Sequence, residues 1–155
     1  MISTMIATRS VTEHDRATFE QLYANYLAEL DPDNPHPPAR WLENVFSQAL
    51  AGQRCLWLVS YEAEIIGFAD FKVSPFFPGS ADEFAFVHDF YVAHAWRRRG
   101  FGQALARCIV TEAQRRGVSS VELNVAPHNA NAMQFWQSVG FKLRHYSLEM
   151  SVRET

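Results

Sequence analysis

The chemistry-bearing residues crowd between Val87 and Leu105. There the chain reads Val-His-Asp-Phe-Tyr-Val-Ala-His-Ala-Trp-Arg-Arg-Arg-Gly-Phe-Gly-Gln-Ala-Leu. His88 and Asp89 are proton acceptors, with ordinary pKa values near 6.5 and 3.9. Arg97, Arg98 and Arg99 are three adjacent cations, followed at once by Gly100 and Gly102. A strand, a turn, glycines and a helix in that order make an anion site. The first amides of a helix have no intrahelical acceptor, and the helix dipole adds roughly half a positive charge there. Glycines let the backbone approach a bulky phosphate closely. A solvated basic turn is the plainer alternative, and the two glycines argue against it. A Walker loop needs Lys-Ser/Thr after its second glycine, and none follows here. A dinucleotide fingerprint needs Gly or Ala at its sixth position, where Leu105 stands. The pyrophosphate loop of an acyl-CoA enzyme is the third reading.

Elements of matching period surround this stretch. Met1–Val11 is short and β-leaning, and Thr12 with Asp15 three residues on resembles a capping box. Phe19, Leu22, Tyr23, Tyr26, Leu27 and Leu30 repeat at helical spacing. The proline-rich run from Asp31 to Pro38 breaks that helix. Trp41, Leu42, Val45, Phe46, Ala49 and Leu50 mark a second helix, with Gly52 as its stop. Cys55–Tyr61 and Ile65–Val73 flank Glu62-Ala63-Glu64 as a hairpin, and Phe84–Val92 is a third strand of the group. Phe101, Ala104, Leu105, Cys108, Ile109 and Ala113 form the stripe of a third helix. Val118–Val125 is a strand, Asn129–Val139 a helix ending at Gly140, and the Phe141–Val152 tail leans to β. The order β-α-α-β-β-β-α-β-α-β is a mixed α/β domain with a mixed, mostly antiparallel sheet flanked by about four helices.

Composition narrows the function classes. The 155 residues are 48% hydrophobic and 20% charged, which fits one globular domain over 1–155. The net charge of −3 provides no basic field for nucleic acid. Twelve of the fourteen basic residues are arginines, Lys72 and Lys142 being the exceptions. A nearly neutral chain with one knot of arginines points to one local anionic ligand. Cys55 and Cys108 lack metal-ligand spacing and read as core residues, so no metal is expected. No signal-peptide layout and no apolar run of membrane-spanning length is visible, so a cytoplasmic location without membrane association is the expectation.

Two segments resemble the GCN5-related N-acetyltransferase (GNAT) family. Arg97-Arg98-Arg99-Gly100-Phe101-Gly102 fits the family's Arg/Gln-x-x-Gly-x-Gly/Ala signature, and the hydrophobic-x-Val-x-x-x-Trp-Arg run before it also fits. Asn129-Ala130-Asn131-Ala132-Met133-Gln134-Phe135-Trp136, with Gly140-Phe141 after it, looks like the family's Asn-x-x-Ala helix. The resemblance implies acetyl-CoA as co-substrate. By it, the amides of Arg98, Arg99, Gly100, Phe101, Gly102, Gln103 and Ala104, with Arg97 beside them, cradle the pyrophosphate. Phe90, Tyr91 and Val92 pair with the pantetheine arm as an added strand would. Asn129 caps the last helix and touches the cofactor, and Trp136 lies near it. A plain N-cap for Asn129 and a plain core role for Trp136 stay open.

Acetyl transfer to an amine also needs a base, because an alkylammonium has a pKa of about 10.4. His88 and Asp89 are the first candidates and Glu83 the next. The stretch Val87–Val92 is similar to one in polyamine and related small-amine acetyltransferases, with His88 where those carry a proposed glutamate base. Simple pleating puts His88 and Asp89 on opposite faces, and only a bulge turns both to one side. A strand amide at Phe90 or Tyr91 is a candidate oxyanion donor. Many relatives carry a Tyr where Trp136 stands, and an indole N–H is no acid at neutral pH. Tyr91 and Tyr146 are alternative acids.

The acceptor end, by the resemblance, includes Glu29, Asp31, Asp33, Asn34, His36, Trp41 and the loop holding Phe76 and Phe77. Acids and aromatic faces suit a cation. The expected substrate is a small cationic amine: a polyamine, an amino acid derivative or an aminosugar. Acetylation of a protein lysine or N-terminus is the alternative enzyme, and a non-catalytic acyl-CoA-binding module the alternative of another class. Phe76 and Phe77 equally fit a homodimer contact.

Overall fold

The computed structural model describes residues 6–33 and 38–153. The chain divides into two compact units, residues 1–124 and 125–155. In the first unit, β1 (Ile6–Ser10) leads through a short 3₁₀ turn, Glu13–Asp15, into α1 (Arg16–Leu30). Thr12 and Asp15 form the expected capping interaction, the Thr12 N–H donating to the Asp15 carboxylate at 2.7 Å. Arg9 also holds that carboxylate by two bonds, 2.7 and 2.8 Å. Next come α2 (Ala39–Leu50), β2 (Cys55–Tyr61), β3 (Glu64–Pro75), β4 (Glu83–Val92), α3 (Phe101–Arg116) and β5 (Ser120–Leu123).

The sheet order is β1-β2-β3-β4-β5. The first three pairings are antiparallel and β4–β5 is parallel. The β2–β3 hairpin turns through Glu62 and Ala63, both at positive φ (49° and 69°), as a tight right-twisting hairpin requires. Two apolar layers cover the sheet. On one face Val59, Ala69, Phe71, Ala85 and Val87 pack with Phe101, Leu105, Ile109 and Ala113 of α3. On the other Leu56, Leu58, Phe68 and Tyr91 pack with Phe19, Leu22 and Tyr23 of α1 and Val45 and Phe46 of α2. Cys55 is buried, as expected, while Cys108 is only half-buried.

The second unit holds α4 (Ala130–Val139). Asn129 caps it, its side chain accepting from the Ala132 N–H at 3.0 Å, and Gly140 closes it at φ 114°. The β-leaning tail does not become a strand. Among the described residues, 141–153 carry no regular pairing, and Tyr146, Leu148, Met150 and Val152 are exposed. Alternating apolar side chains supply a strand's pattern, but a strand is held only by a paired neighbour. Among the described residues no helix is long and apolar enough to cross a membrane.

Candidate active site

A bulge in β4 decides which side chains meet. The β3–β4 register runs Asp70↔Asp89, then Phe71↔Val87, so His88 is the extra residue. Before the bulge Ala85 and Val87 face α3; after it Val92 does, and Tyr91 joins the layer under α1 and α2. The extra residue therefore turns His88 and Asp89 toward the α1/α2 side together. His88 is exposed, with its ring 4.9 Å from that of Phe86.

Asp89 lies deeper, directly across from Asp70. Asp70 is 1% exposed, and Arg54 grips it from the start of β2 with two bonds of 2.5 Å, Nε to Oδ1 and Nη2 to Oδ2. The guanidinium is thus bonded to Asp70, and Asp89 feels it only as a nearby charge. Burial and the neighbouring Asp70 push the Asp89 carboxyl up to about 6; a hydrogen bond from the Tyr26 hydroxyl and the Arg54 charge pull the other way. Burial and the same carboxylates push the Tyr26 and Tyr23 phenols far up, so both stay protonated donors. Partial burial and the Arg54 charge lower the His88 imidazole, leaving it neutral at pH 7. Rings of Tyr23, Tyr26, Trp41, Phe68 and Tyr91 pack against one another on this side of the sheet, with Tyr23–Trp41 centroids 4.7 Å apart and Tyr26–Tyr91 5.7 Å apart.

The arginine knot lies just beyond the end of β4, and its members differ in task. Arg97 is already engaged: its Nε donates to the Val92 carbonyl at 2.8 Å, its Nη2 pairs with Glu29 of α1, and it sits 5.6 Å over the Tyr91 ring. Arg99 stacks on Trp96 at 4.7 Å and on Phe101 at 5.4 Å. Arg98 is exposed and takes a positive φ of 60°, followed by Gly100 at φ 86° as the residue before α3. Left-handed residues spaced this way aim successive amides inward, the shape of an anion cradle. The Ala104 N–H is the first to close onto a helical turn, on Gly100 O at 3.1 Å. The amides of Phe101, Gly102 and Gln103 precede it, in the turn that has no intrahelical acceptors. The parallel ladder of β4 with β5 ends at Val87, short of His88–Val92. An amide-lined helix start beside a strand end fits the pyrophosphate and amide arm of coenzyme A.

Other expected site residues are placed apart or otherwise occupied. Glu83 opens β4, about 20 Å along the strand from Asp89 at ~3.3 Å per residue. Glu29 is paired with Arg97, which answers much of its charge. Asp31 is exposed just past α1, and Phe77 is 65% exposed in the β3–β4 loop. His36 and Asn34 lie outside the described residues. In the second unit Trp136 is buried, its ring 5.0 Å from those of Phe135 and Phe141. Arg54, Asp70 and Tyr26 were not among the expected site residues. The available signal was an acid standing inside the apolar run Phe68-Ala69-Asp70-Phe71, which demands a buried partner.

The chain belongs to the acetyltransferase (GNAT) family, whose model matches residues 12–141. Enzymes of this family draw their acetyl group from acetyl-CoA. The fold is that of an aminoglycoside acetyltransferase from an uncultured soil metagenomic sample, solved with sisomicin: TM-score 0.80, 18% identity, all of both chains covered. It is also that of a ribosomal-protein-alanine N-acetyltransferase from Brucella melitensis biovar Abortus 2308: TM-score 0.74, 18% identity, 96% of this chain and 99% of that one. By sequence, the chain is 33% identical over 55 residues to L-ornithine N5-acetyltransferase NATA1 of Arabidopsis thaliana. That match spans 36% of this chain and 24% of the relative's length.

Proposed function

We propose that the protein transfers the acetyl group of acetyl-CoA to the primary amine of a small cationic molecule, a polyamine, amino acid derivative or aminosugar. The observation that carries this reading is the Asp70–Asp89 pair, two carboxyl groups directly opposite each other, with the Arg54 guanidinium bonded to Asp70 and the Tyr23 and Tyr26 phenols beside Asp89. Such a site attracts an ammonium, and aromatic faces hold it. The ornithine and aminoglycoside acetyltransferases that the chain is similar to are named for amines of this class.

Asp89 takes the proton from the incoming ammonium, since a base with a pKa of about 6 is ionised at pH 7 and still accepts protons there. Bound acetyl-CoA supplies an activated thioester, whose C–S bond breaks as the amine nitrogen forms its bond to the acyl carbon. The second proton of the amine goes to the departing thiolate, and Asp89 returns the first to solvent. Backbone donors at Phe90 or Tyr91 face the carbonyl oxygen as charge builds on it. Tyr91, whose phenol is raised by burial and by Glu29 and lowered by Arg97, stays protonated and stands as the candidate acid. The cradle from Arg98 to Ala104 holds the pyrophosphate, with Arg97 and Arg99 bracing the turn.

His88 is the second candidate base, because it is exposed, neutral and turned to the same side. Thiol release from acetyl-CoA with a panel of polyamine, amino acid, aminosugar and peptide amines tests the proposal. Turnover on small diamines or aminosugars but not on peptides is expected. Turnover on peptides alone would establish a protein acetyltransferase instead. Tight coenzyme A binding without turnover of any amine would leave a binding module.

A further inference from the structure

We propose that Arg54 and Asp70 are positioning residues that make Asp89 the proton-exchanging member of a carboxylate pair completed by one added positive charge. This deepens the reading of Asp89 as the base and rests on it. Asp70 and Asp89 face each other across β3 and β4. The planar fork of Arg54 closes on both oxygens of Asp70 and fixes it, whereas Asp89 receives the Tyr26 hydroxyl and no fork. Like charges at one cross-strand pair in a poorly solvated place repel, so the cluster of two carboxylates and one guanidinium lacks one positive charge. Below about pH 6 that charge is a proton on Asp89, and above it the substrate's ammonium takes the place. Proton and ammonium therefore compete for one place.

Among the described residues, the other groups facing Asp89 do not supply the missing charge. From α1 come Tyr23 and Tyr26, both neutral. From β4 comes His88, neutral at pH 7, and from β3 comes Lys72, which acts on His88. From the start of β2 comes Arg54, already committed to Asp70.

Two variants push the pair in opposite directions. Asp70→Asn removes the repelling carboxylate, so the Asp89 pKa falls by about one unit. Arg54→Gln removes the compensating cation, so it rises by a similar amount. The readouts are the Asp89 carboxyl titration, followed by ¹³C NMR, and the acid limb of kcat/KM for one fixed diamine with acetyl-CoA. Asp70→Asn should also raise KM for the diamine about 10-fold while kcat changes less than about 3-fold, because the cluster no longer lacks a charge. An Asp89 titration that stays in place in Asp70→Asn, or that moves the same way in both variants, overturns the proposal. If Arg54→Gln does not fold, the isosteric Asp70→Asn decides alone. An NMR titration that moves as stated while the kcat/KM limb stays put upholds the tuning and removes Asp89 as the base.

Discussion

The α1/α2 side of β4 and the turn before α3 both manage charge, and they do so with different parts. Around Asp89 the work is done by side chains brought from three places in the chain: Arg54, Asp70 and Tyr26. At the turn it is done by backbone, with Arg98 and Gly100 at positive φ and the first amides of α3 without intrahelical acceptors. Side chains can be tuned against one another, which suits a group that must exchange a proton. Backbone amides carry fixed partial charges, which suits an anion that must only be held. The same contrast separates the consequences of mutation. On the proposed reading, damage in the first region is expected to alter pKa and rate, and damage in the second the affinity for the nucleotide end of the co-substrate.

The largest expected effect comes from removing the base. Asp89→Asn should lower kcat/KM about 10²–10⁴-fold and leave coenzyme A affinity within about 2-fold, read by steady-state kinetics and calorimetry. If affinity fell as much as rate, the two regions would not be separable. Next is Arg54→Gln, which leaves Asp70 buried without its fork. Breaking one side of a buried pair costs about 3–5 kcal/mol, seen as a lower denaturant midpoint. Gly100→Ala forces a side chain into the left-handed region at about 1–2 kcal/mol. It should raise KM for acetyl-CoA about 10-fold and leave KM for the amine unchanged.

A smaller effect separates stability from activity. The folded Asp89 has its pKa raised from an ordinary value near 3.9 to about 6. The native state then binds the extra proton between those values, and stability falls as pH rises through that window. Asp89→Asn removes this cost, so the inactive variant should melt about 2–4 °C higher than the parent at pH 8, with the gain shrinking toward pH 4. A lower melting point at pH 8 would mean that Asp89 is held by more than Tyr26. The least effect is expected at Arg98→Ala, an exposed cation on the cradle's rim. It should cost about 2- to 3-fold in KM for acetyl-CoA, and less in high salt.

The backbone-built region was the legible one. Gly100 and Gly102 after three arginines encode a turn and a helix start locally, so the pattern can be read without knowing the fold. The strand pattern was legible for the same reason: Cys55–Tyr61 is a strand over just those residues. The side-chain-built region was legible only in part. His88 and Asp89 stood out by type, and pleating alone placed them on opposite faces; the bulge that unites them depends on the register with β3. Arg54 and Asp70 lie 16 residues apart and meet only when β2 pairs with β3. The arginine knot looked uniform in the sequence, yet Arg97 is spent on Val92 and Glu29, a contact across 68 residues. The tail shows the converse case. Its alternation reads as a strand, but no alternation names the neighbour a strand must pair with.

The central claim is that a half-buried carboxylate on β4, held near pKa 6, receives the amine's proton. The direct measurement is the pH dependence of kcat/KM between pH 5 and 8, for the parent and for Asp89→Asn, with one primary diamine and acetyl-CoA. The account predicts an ionisation near pH 6 in the parent, on top of that of the amine itself, and its disappearance in Asp89→Asn. An ionisation near 6 that persists in Asp89→Asn and vanishes in His88→Ala would contradict it and give the role to the exposed histidine.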